Sequence, residues 1–243
     1  MSLVSIIIPV KNGEKTIERA VRSCISQSYN NIEVIVVDNL STDKTQNVLR
    51  NFDYDTRVKL VLCDIPGVSH ARNKGLAICE GRYVCLLDAD DELLTDSVLL
   101  RVNALISEAT LFVHTAYVRR HGANEKIISS RRAKLSLFNW YNPVGNLTGL
   151  YDAKEIGLIY HSARHHEDYL MWWEVVEAAS GKTSYISEPT AIYNVTPNSL
   201  SSSFKRNLIG HVSILREKNC KYNPLIVLYI MYYIINGLSR RLF

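Results

Sequence analysis

Short apolar runs alternate with segments of helical spacing over the first hundred residues of the chain. Four runs predict strands, and in chain order they are SIIIPV (5–10), IEVIVVD (32–38), VKLVL (58–62) and YVCLL (83–87). Between and after them apolar residues recur every three or four positions, as at Ile17, Ala20, Val21 and Cys24, which predicts helices. Nearly continuous apolar strands that alternate with helices are typical of an α/β fold with a mostly parallel sheet covered on both faces.

The pattern is looser beyond residue 109. It predicts a strand at 110–118, an exposed hairpin or loop at 119–134 and one or two short strands within 184–194. A helix is predicted from Glu167 (EDYLMWWEVVEAA) to Gly181, because glycine is a common C-cap residue. In the first part, Thr42 and Asp43 are candidate N-caps of the second helix. We divide the chain into residues 1–108, a second half of the same domain at 109–200, and a helical tail at 201–243.

The amino-acid composition indicates the broad class of the protein. The chain has 243 residues, of which 47% are hydrophobic and 21% charged, so it can bury one substantial core. Its five cysteines are scattered and form no CxxC pair, and we therefore expect reduced thiols of a cytosolic protein rather than disulfides or a zinc site. The start of the chain lacks a basic segment followed by an apolar segment and a small-residue cleavage site, which predicts that no signal peptide is present.

Charge separates the tail from the body. From Ser201 onward there are seven basic side chains and one acidic, a net charge of +6, whereas the preceding residues have 21 basic and 23 acidic side chains, a net charge of −2. The last segment, NPLIVLYIMYYIINGLSRRLF (223–243), has roughly twelve consecutive apolar residues where a membrane span needs about twenty. It is typical of an interfacial helix beside anionic lipid, and the alternatives are packing on the core or across a dimer interface.

Polar residues follow three of the four strands at the edge where parallel sheets bind ligands. They are Lys11-Asn12, Asp38-Asn39 and the run from Asp88 to Asp91, which contains three aspartates. One alternative is that these aspartates cap a helix, but a cap needs only one acid. Clustered carboxylates suit a hard divalent cation, Mn²⁺ or Mg²⁺, that shares its coordination with substrate phosphates. We therefore expect a metal–diphosphate ligand.

The chain resembles the family 2 glycosyltransferases, which have the GT-A fold with a Rossmann-like central sheet. The matching segments occur in family order: SIIIPVKNGEKTIERAVRSCISQSY, IEVIVVDNLSTDKT, GVSHARNKGL, GRYVCLLDADD and HHEDYLMW. Two departures stand out, because Lys11 occupies a position that is often aromatic, and Asn39-Leu40 replace a second acid followed by glycine.

The resemblance implies a role for each matched position. Residues 1–108 would bind the nucleotide sugar, through Pro9, Val10 and Asn12 at the base, Asp38 at the uracil imide, Arg72 near the diphosphate and Asp88 at the ribose. Asp90 would bind the metal with help from Asp91. Residues 109–200 would bind the acceptor.

A catalytic base is implied in HHEDYLMWW. By resemblance Asp168 takes the proton of the attacking hydroxyl and Glu167 assists, and the alternative is an acidic first turn that satisfies the helix dipole. We interpret His165 and His166 as polar loop residues, and at least one of Trp172 and Trp173 as core. Asn142, Asn146 and Thr148 are candidate acceptor contacts, with a simple turn as the alternative.

The implied activity is inverting sugar transfer from a nucleoside-diphosphate sugar, with UDP favoured, to a hydroxyl of a polyprenyl-diphosphate-linked glycan. The setting would be capsule, O-antigen or exopolysaccharide assembly, with the protein peripheral at the cytoplasmic face of the plasma membrane. The alternatives are a sugar-nucleotide nucleotidyltransferase and a non-catalytic glycan- or nucleotide-binding relative. A NAD-dependent dehydrogenase is excluded, because no GxGxxG follows the first strand, and we expect no nucleic-acid partner.

Overall fold

One mixed sheet forms the centre of the protein. The computed structural model describes residues 1–162, 167–196, 204–218 and 225–242. In that part of the chain the strands are β1 (Val4–Val10), β2 (Ile32–Asp38), β3 (Val58–Leu62), β4 (Tyr83–Leu86), β5 (Glu92–Leu93), β6 (Phe112–His121), β7 (Asn124–Ile128), β8 (Leu150–Asp152) and β9 (Thr183–Asn194). Their order across the sheet is β3-β2-β1-β4-β8-β6-β9-β5, and β7 also pairs with β6.

The four strands predicted from the first apolar runs are confirmed and are parallel to one another. β1 lies between β2 and β4, with Val10 opposite Asp38 and Ile7 opposite Leu86. Every residue of β1 is buried, because successive side chains point to opposite faces and both faces are covered. Ile6 and Ile8 belong to one apolar core, and Ile7 belongs to the other. All four strands therefore end at the same edge.

Helices cover both faces. They are α1 (Ile17–Ile25), α2 (Thr45–Leu49), α3 (Val68–Leu76), α4 (Ser97–Ser107), α5 (Leu135–Phe138), α6 (Ala153–Ile156), α7 (Glu167–Ala178), α8 (Phe204–Lys218) and α9 (Leu225–Leu242), with 3₁₀ turns at Arg50–Phe52 and Asn146–Thr148. Lys44 occupies the N-cap position of α2, so Thr42 is wrong as a cap, but Asp43 Oδ1 accepts the backbone N–H of Thr45, the first helical residue, at 3.0 Å. The backbone N–H of Thr42 donates instead to Asn12 Oδ1 at 2.8 Å, and Asp43 accepts the N–H of Glu14 at 3.1 Å. Both residues therefore join the loop after β1.

The second part of the chain extends the same sheet. β6 and β7 form the predicted hairpin, and β9 is one long strand with two register shifts rather than two separate strands. Helix α7 ends at Ala178, earlier than predicted, and Gly181 adopts the left-handed conformation (φ +82°) three residues later. Because β4 pairs with β8, the sheet crosses residue 108, and the division of the chain there stays a prediction.

The tail packs on the body through aromatic rings. Tyr229 of α9 contacts Trp140 with ring centroids 4.6 Å apart, and Tyr233 stacks on His211 of α8 at 4.3 Å. His211 stacks in turn on Tyr169 of α7 at 5.5 Å. The opposite side of α9 is apolar and exposed, and its residues are Val227, Leu228, Met231 and Ile235. Tyr232 is also exposed but packs on Trp140, with ring centroids 5.1 Å apart. Among the helices that the structure describes, none is long and apolar enough to cross a membrane.

Candidate active site

The loops after β1 and β2 hold each other. Asn12 adopts the left-handed conformation (φ +53°), which asparagine tolerates better than most residues. Its backbone N–H donates to Ser41 Oγ at 2.9 Å. Pro9 and Val10 lie within β1 rather than in the turn after it, and both are buried. The loops therefore form one rigid wall at the carboxyl edge of the sheet.

Asp38 ends β2 beneath that wall and is 1% exposed. Its Oδ1 accepts the backbone N–H of Ser41 at 3.1 Å, and its Oδ2 accepts Gln46 Nε2 at 2.7 Å. A carboxylate oxygen can accept a second hydrogen bond, so Asp38 keeps accepting capacity on each oxygen. Its predicted contact with a uracil imide stays a prediction.

Asn39 explains one departure from the family pattern. Its amide nitrogen donates to the carbonyl oxygens of Cys63 at 3.2 Å and Ile65 at 2.7 Å, and its Oδ1 accepts the N–H of Gly67 at 2.7 Å. An aspartate at this position could accept from Gly67 but could not donate to the two carbonyls. Here the asparagine fixes the loop that leads into α3.

A buried guanidinium connects residues far apart in the chain. Arg72 of α3 is 4% exposed. Its Nη2 donates to Asp88 Oδ1 at 2.8 Å, just beyond β4, and its Nη1 donates to Glu167 Oε1 at 3.1 Å, at the start of α7. Burial alone would lower the pKa of Arg72, but the charges of Asp88 and Glu167 outweigh it and raise that pKa. The guanidinium is therefore permanently charged.

Asn146 is a second partner of Asp88. Its Nδ2 lies 3.2 Å and 3.3 Å from the two carboxylate oxygens of Asp88, and its Oδ1 accepts the indole N–H of Trp172 at 3.3 Å. Trp172 and its neighbour Trp173 are both buried, which confirms that at least one is core. Asn142, by contrast, accepts the N–H of Val144 at 3.1 Å and stabilises a local turn.

The other two aspartates are anchored by the end of β9. Asp91 is 1% exposed, and its Oδ1 accepts the backbone N–H of Asn194 at 2.9 Å, while the hydroxyl of Thr196 donates to Asp90 Oδ2 at 3.3 Å. Burial, followed by the charge of Asp88, raises the pKa of both Asp90 and Asp91. The protein therefore compensates their charge only in part.

The capping alternative for these aspartates is wrong. No helix begins directly after them, because β5 follows at Glu92 and α4 begins only at Ser97, with Asp96 as its N-cap. The cluster lies instead just beyond the carboxyl end of β4.

The start of α7 completes the site. Glu167 and Asp168 form its acidic first turn and are partly exposed, and Glu167 is held by Arg72. His165 and His166, interpreted above as loop residues, lie outside the described residues. The structure thus joins Arg72, Asp88 and Glu167 directly, whereas the contact of Asp168 with a substrate stays a prediction.

Residues 5–163 match the family described as glycosyl transferase family 2. The chain belongs to this family. The glycosyltransferase is 28% identical over 246 residues to the UDP-Glc:α-D-GlcNAc-diphosphoundecaprenol β-1,3-glucosyltransferase WfaP of Escherichia coli, and the match covers 100% of this chain and 97% of WfaP.

Solved structures agree on the fold. The S. aureus TarS 1–349 structure in complex with UDP-GlcNAc superimposes with a TM-score of 0.73 at 19% identity, over 89% of this chain and 67% of that one. The mannosyltransferase PcManGT from Pyrobaculum calidifontis, in complex with GDP-Man and Mn²⁺, gives a TM-score of 0.66 at 19% identity, over 95% of this chain and 69% of that one. The predicted family and GT-A-like α/β fold are confirmed.

The carboxylates of this glycosyltransferase fit a divalent cation only as a partial site. Within the described residues, no three or more His, Cys, Asp or Glu side chains are grouped so that they could hold a metal ion. Asp90 is partly exposed, and Asp91 Oδ2 is buried without a hydrogen-bond partner in the described part of the chain. A cation at Asp90 would thus need further oxygen ligands from a substrate, as a diphosphate supplies.

Sequence reasoning missed three polar contacts of the glycosyltransferase. Arg19 Nη2 and Asn194 Nδ2 each donate to the backbone carbonyl of Asp90 at 2.8 Å, and the bridge from Asn146 to Asp88 was not foreseen. Nothing in the pattern around Arg19 or Asn194 distinguishes them from ordinary polar positions. Asn146 was a candidate only for the acceptor side.

Proposed function

We propose that this enzyme transfers a sugar, with inversion, from a UDP-sugar to a hydroxyl of a polyprenyl-diphosphate-linked glycan in capsule, O-antigen or exopolysaccharide assembly. The observation that supports this most is the ion-pair network of Arg72, which joins Asp88 at the donor edge of the sheet to Glu167 at the start of α7. The donor and acceptor named for WfaP, and the UDP-GlcNAc bound by TarS, support the choice of substrates.

The donor would lie along the carboxyl edge of the sheet. Pro9 and Val10 at the end of β1, together with Asn12 in the wall, would line the base. Asp38 would accept from the uracil imide, and Asp88 would accept from the ribose. Arg72 would approach the diphosphate with the guanidinium N–H groups that the two carboxylates leave unused. Residues 1–108 would thus form the donor half of the domain, and residues 109–200 would form the acceptor half.

Asp90, assisted by Asp91, would hold Mn²⁺ or Mg²⁺. Once bound, the cation would act as a Lewis acid that stabilises the leaving diphosphate. The raised pKa values of both aspartates fit this role, because their carboxylates lack a full set of compensating charges in the protein alone.

Asp168 would act as the general base. Inversion requires a carboxylate that takes the proton of the attacking hydroxyl on the face opposite the departing nucleotide. Glu167 precedes it in the same helical turn and is fixed by Arg72 at 3.1 Å, so Glu167 would orient this turn while Asp168 remains available to the acceptor.

An Asp168→Asn variant tests the assignment. We measure UDP release from a panel of UDP- and GDP-sugars with Mn²⁺, and UDP affinity by calorimetry. Because a general base contributes roughly 10²- to 10⁴-fold, we expect turnover to fall by at least about 100-fold while UDP affinity is retained. Glu177→Gln, near the other end of α7, is the matched control. Undiminished turnover in Asp168→Asn, activity in EDTA, or release of pyrophosphate would each contradict the proposal.

The tail would contact the membrane in which a polyprenyl-linked acceptor resides. Helix α9 is apolar on both sides: Tyr229 packs on Trp140, whereas Leu228, Met231 and Ile235 are exposed. Together with the net charge of +6 after residue 200, this favours docking on the anionic cytoplasmic face of the plasma membrane. Flotation with phosphatidylglycerol vesicles checks this, and we expect Met231→Glu to lower the bound fraction. A stable dimer that does not bind vesicles would instead favour packing of α9 against a second subunit.

A further inference from the structure

Asn146 occupies a bridging position that no role above explains. It is the first residue of the 3₁₀ turn Asn146–Thr148 and lies between a carboxylate of the donor edge and the helix that contains the candidate base. Its Nδ2 is 3.2 Å and 3.3 Å from the oxygens of Asp88, and its Oδ1 is 3.3 Å from the indole nitrogen of Trp172. The side-chain amide of Asn146 therefore contacts both Asp88 and Trp172.

The chemistry of the two partners fixes the orientation of this amide. An indole N–H can only donate, so it requires the amide oxygen to face Trp172. An ionised carboxylate can only accept, so it requires the amide nitrogen to face Asp88. A flipped amide would place two donors together at one end and two acceptors together at the other. Asn146 therefore has a single favourable orientation.

Trp172 is a firm anchor for this bridge. It is fully buried and lies against Phe112, with ring centroids 5.6 Å apart. A Cβ atom on Gly149, just beyond the 3₁₀ turn, would lie 2.4 Å from the Trp172 ring, so the turn is packed directly on the indole. Movement of α7 would consequently move Asn146.

The two contacts of Asp88 both lead back to α7. Through Arg72, Asp88 is joined to Glu167, the first residue of α7, and through Asn146 it is joined to Trp172, on the next turn of the same helix. Arg72 Nη2 donates to Oδ1 of Asp88, whereas Asn146 Nδ2 lies within 3.3 Å of both carboxylate oxygens, so the two donors together restrict rotation of the carboxylate. The orientation of Asp88 is thus tied to the helix that contains Asp168.

We propose that Asn146 is a positioning residue that orients the Asp88 carboxylate for the nucleotide and fixes it relative to the base helix. The proposal rests on the proposed function, in which Asp88 binds the donor. It assigns Asn146 to the donor side, in place of the acceptor contact or simple turn considered from the sequence.

Calorimetry with UDP and Mn²⁺ on the full-length chain tests this without knowledge of the acceptor. Since a hydrogen bond to a charged group is lost, we expect Asn146→Ala to weaken UDP binding by about tenfold. Tm should fall as well, because the buried indole N–H of Trp172 loses its acceptor, so UDP affinity is measured well below the Tm of the variant. Asn142→Ala is the matched control, because it removes an amide from the same loop that does not contact Asp88, and it should leave UDP affinity unchanged. Asn146→Ser, too short to bridge both partners, is a second variant in case the alanine protein does not fold.

Trp172→Phe separates positioning from packing. If Trp172 acts through Asn146, removal of its N–H weakens UDP binding by about threefold in the wild-type background and has no further effect in Asn146→Ala, because the two changes share one interaction. Unchanged UDP affinity in Asn146→Ala, or additive effects of the two changes, would overturn the inference. Absence of UDP binding by the wild-type protein would instead refute the proposed function.

Discussion

Replacement of Arg72 by methionine tests the network on which the site is built. Methionine retains most of the length and apolar contact of the arginine stem but removes the charge shared by Asp88 and Glu167. The Arg72 side chain is 5% exposed, whereas those of Asp88 and Glu167 are 33% and 20% exposed. The substitution leaves two carboxylates close together without their common cation, and we expect the folded state to lose stability.

The expected loss in the free energy of unfolding follows from how deeply the ion pairs of Arg72 are buried. Removal of one partner of a buried ion pair costs about 3–5 kcal/mol in the free energy of unfolding. Water can reach both carboxylates in part, so we place the loss below that range, at about 2–3 kcal/mol. In a protein of this size 1 kcal/mol corresponds to roughly 2–4 °C in Tm, which predicts a decrease of about 4–12 °C.

Thermal unfolding in EDTA, without nucleotide, measures this directly. Arg132→Met is the matched control, because Arg132 pairs with Glu108 at 2.8 Å on the surface, with side chains 53% and 40% exposed. An exposed pair of this kind contributes about 0–1 kcal/mol, so Tm should change by less than about 4 °C. If Arg72→Met lowers Tm no more than Arg132→Met does, the network does not stabilise the fold and the argument from burial is wrong.

Two further substitutions address the neighbouring residues. Asp91→Asn should raise the Tm of the metal-free protein, because burial and then the charge of Asp88 raise the pKa of Asp91 from its ordinary 3.8 to about 9, and its ionised form destabilises the fold. The gain should therefore grow from about pH 4 to about pH 9; a pH series of thermal unfolding in EDTA checks this, and a gain independent of pH would contradict it. Gly149→Ala should destabilise the fold by about 1–3 kcal/mol through overpacking, because the new Cβ would lie 2.4 Å from the ring of Trp172; urea unfolding measures it, and an unchanged midpoint would show that the 3₁₀ turn can move away from the indole.

The parallel half of the fold was predictable because its information is local. A strand buried on both faces is mostly apolar, and IEVIVVD therefore predicted β2 (Ile32–Asp38) to the residue. The N-cap of α2 was not predictable in the same way. Thr42 and Asp43 have the composition of a cap, but Thr42 contacts the loop after β1 instead. Asp43 accepts both from that loop and from the N–H of Thr45, where the helix begins.

The side chains of the candidate site show the same difference between local information, which the sequence pattern carries, and tertiary contacts, which it does not. The strand ends located Asp38, Asp88 and Asp90, because topology alone places them at one edge of the sheet. The partners of these residues depend on chain segments far away, as with Arg72 and Glu167, which are 95 positions apart. No periodic pattern encodes such a pair, and its geometry follows only from how α3 and α7 pack.

The three aspartates after β4 have unequal surroundings, and this difference bears on why a buried strand ends in mutually repelling charges. Arg72 neutralises Asp88 directly, whereas among the described residues the side chain of Asp91 accepts one backbone N–H and that of Asp90 accepts one hydroxyl at 3.3 Å. A cluster that served stability alone would be expected to pair every charge, because an unpaired buried carboxylate destabilises the folded state. The uncompensated charge is concentrated on Asp90 and Asp91, the residues to which the metal role is assigned. If Mn²⁺ with UDP does not raise Tm, or raises it equally in Asp90→Asn, that assignment fails.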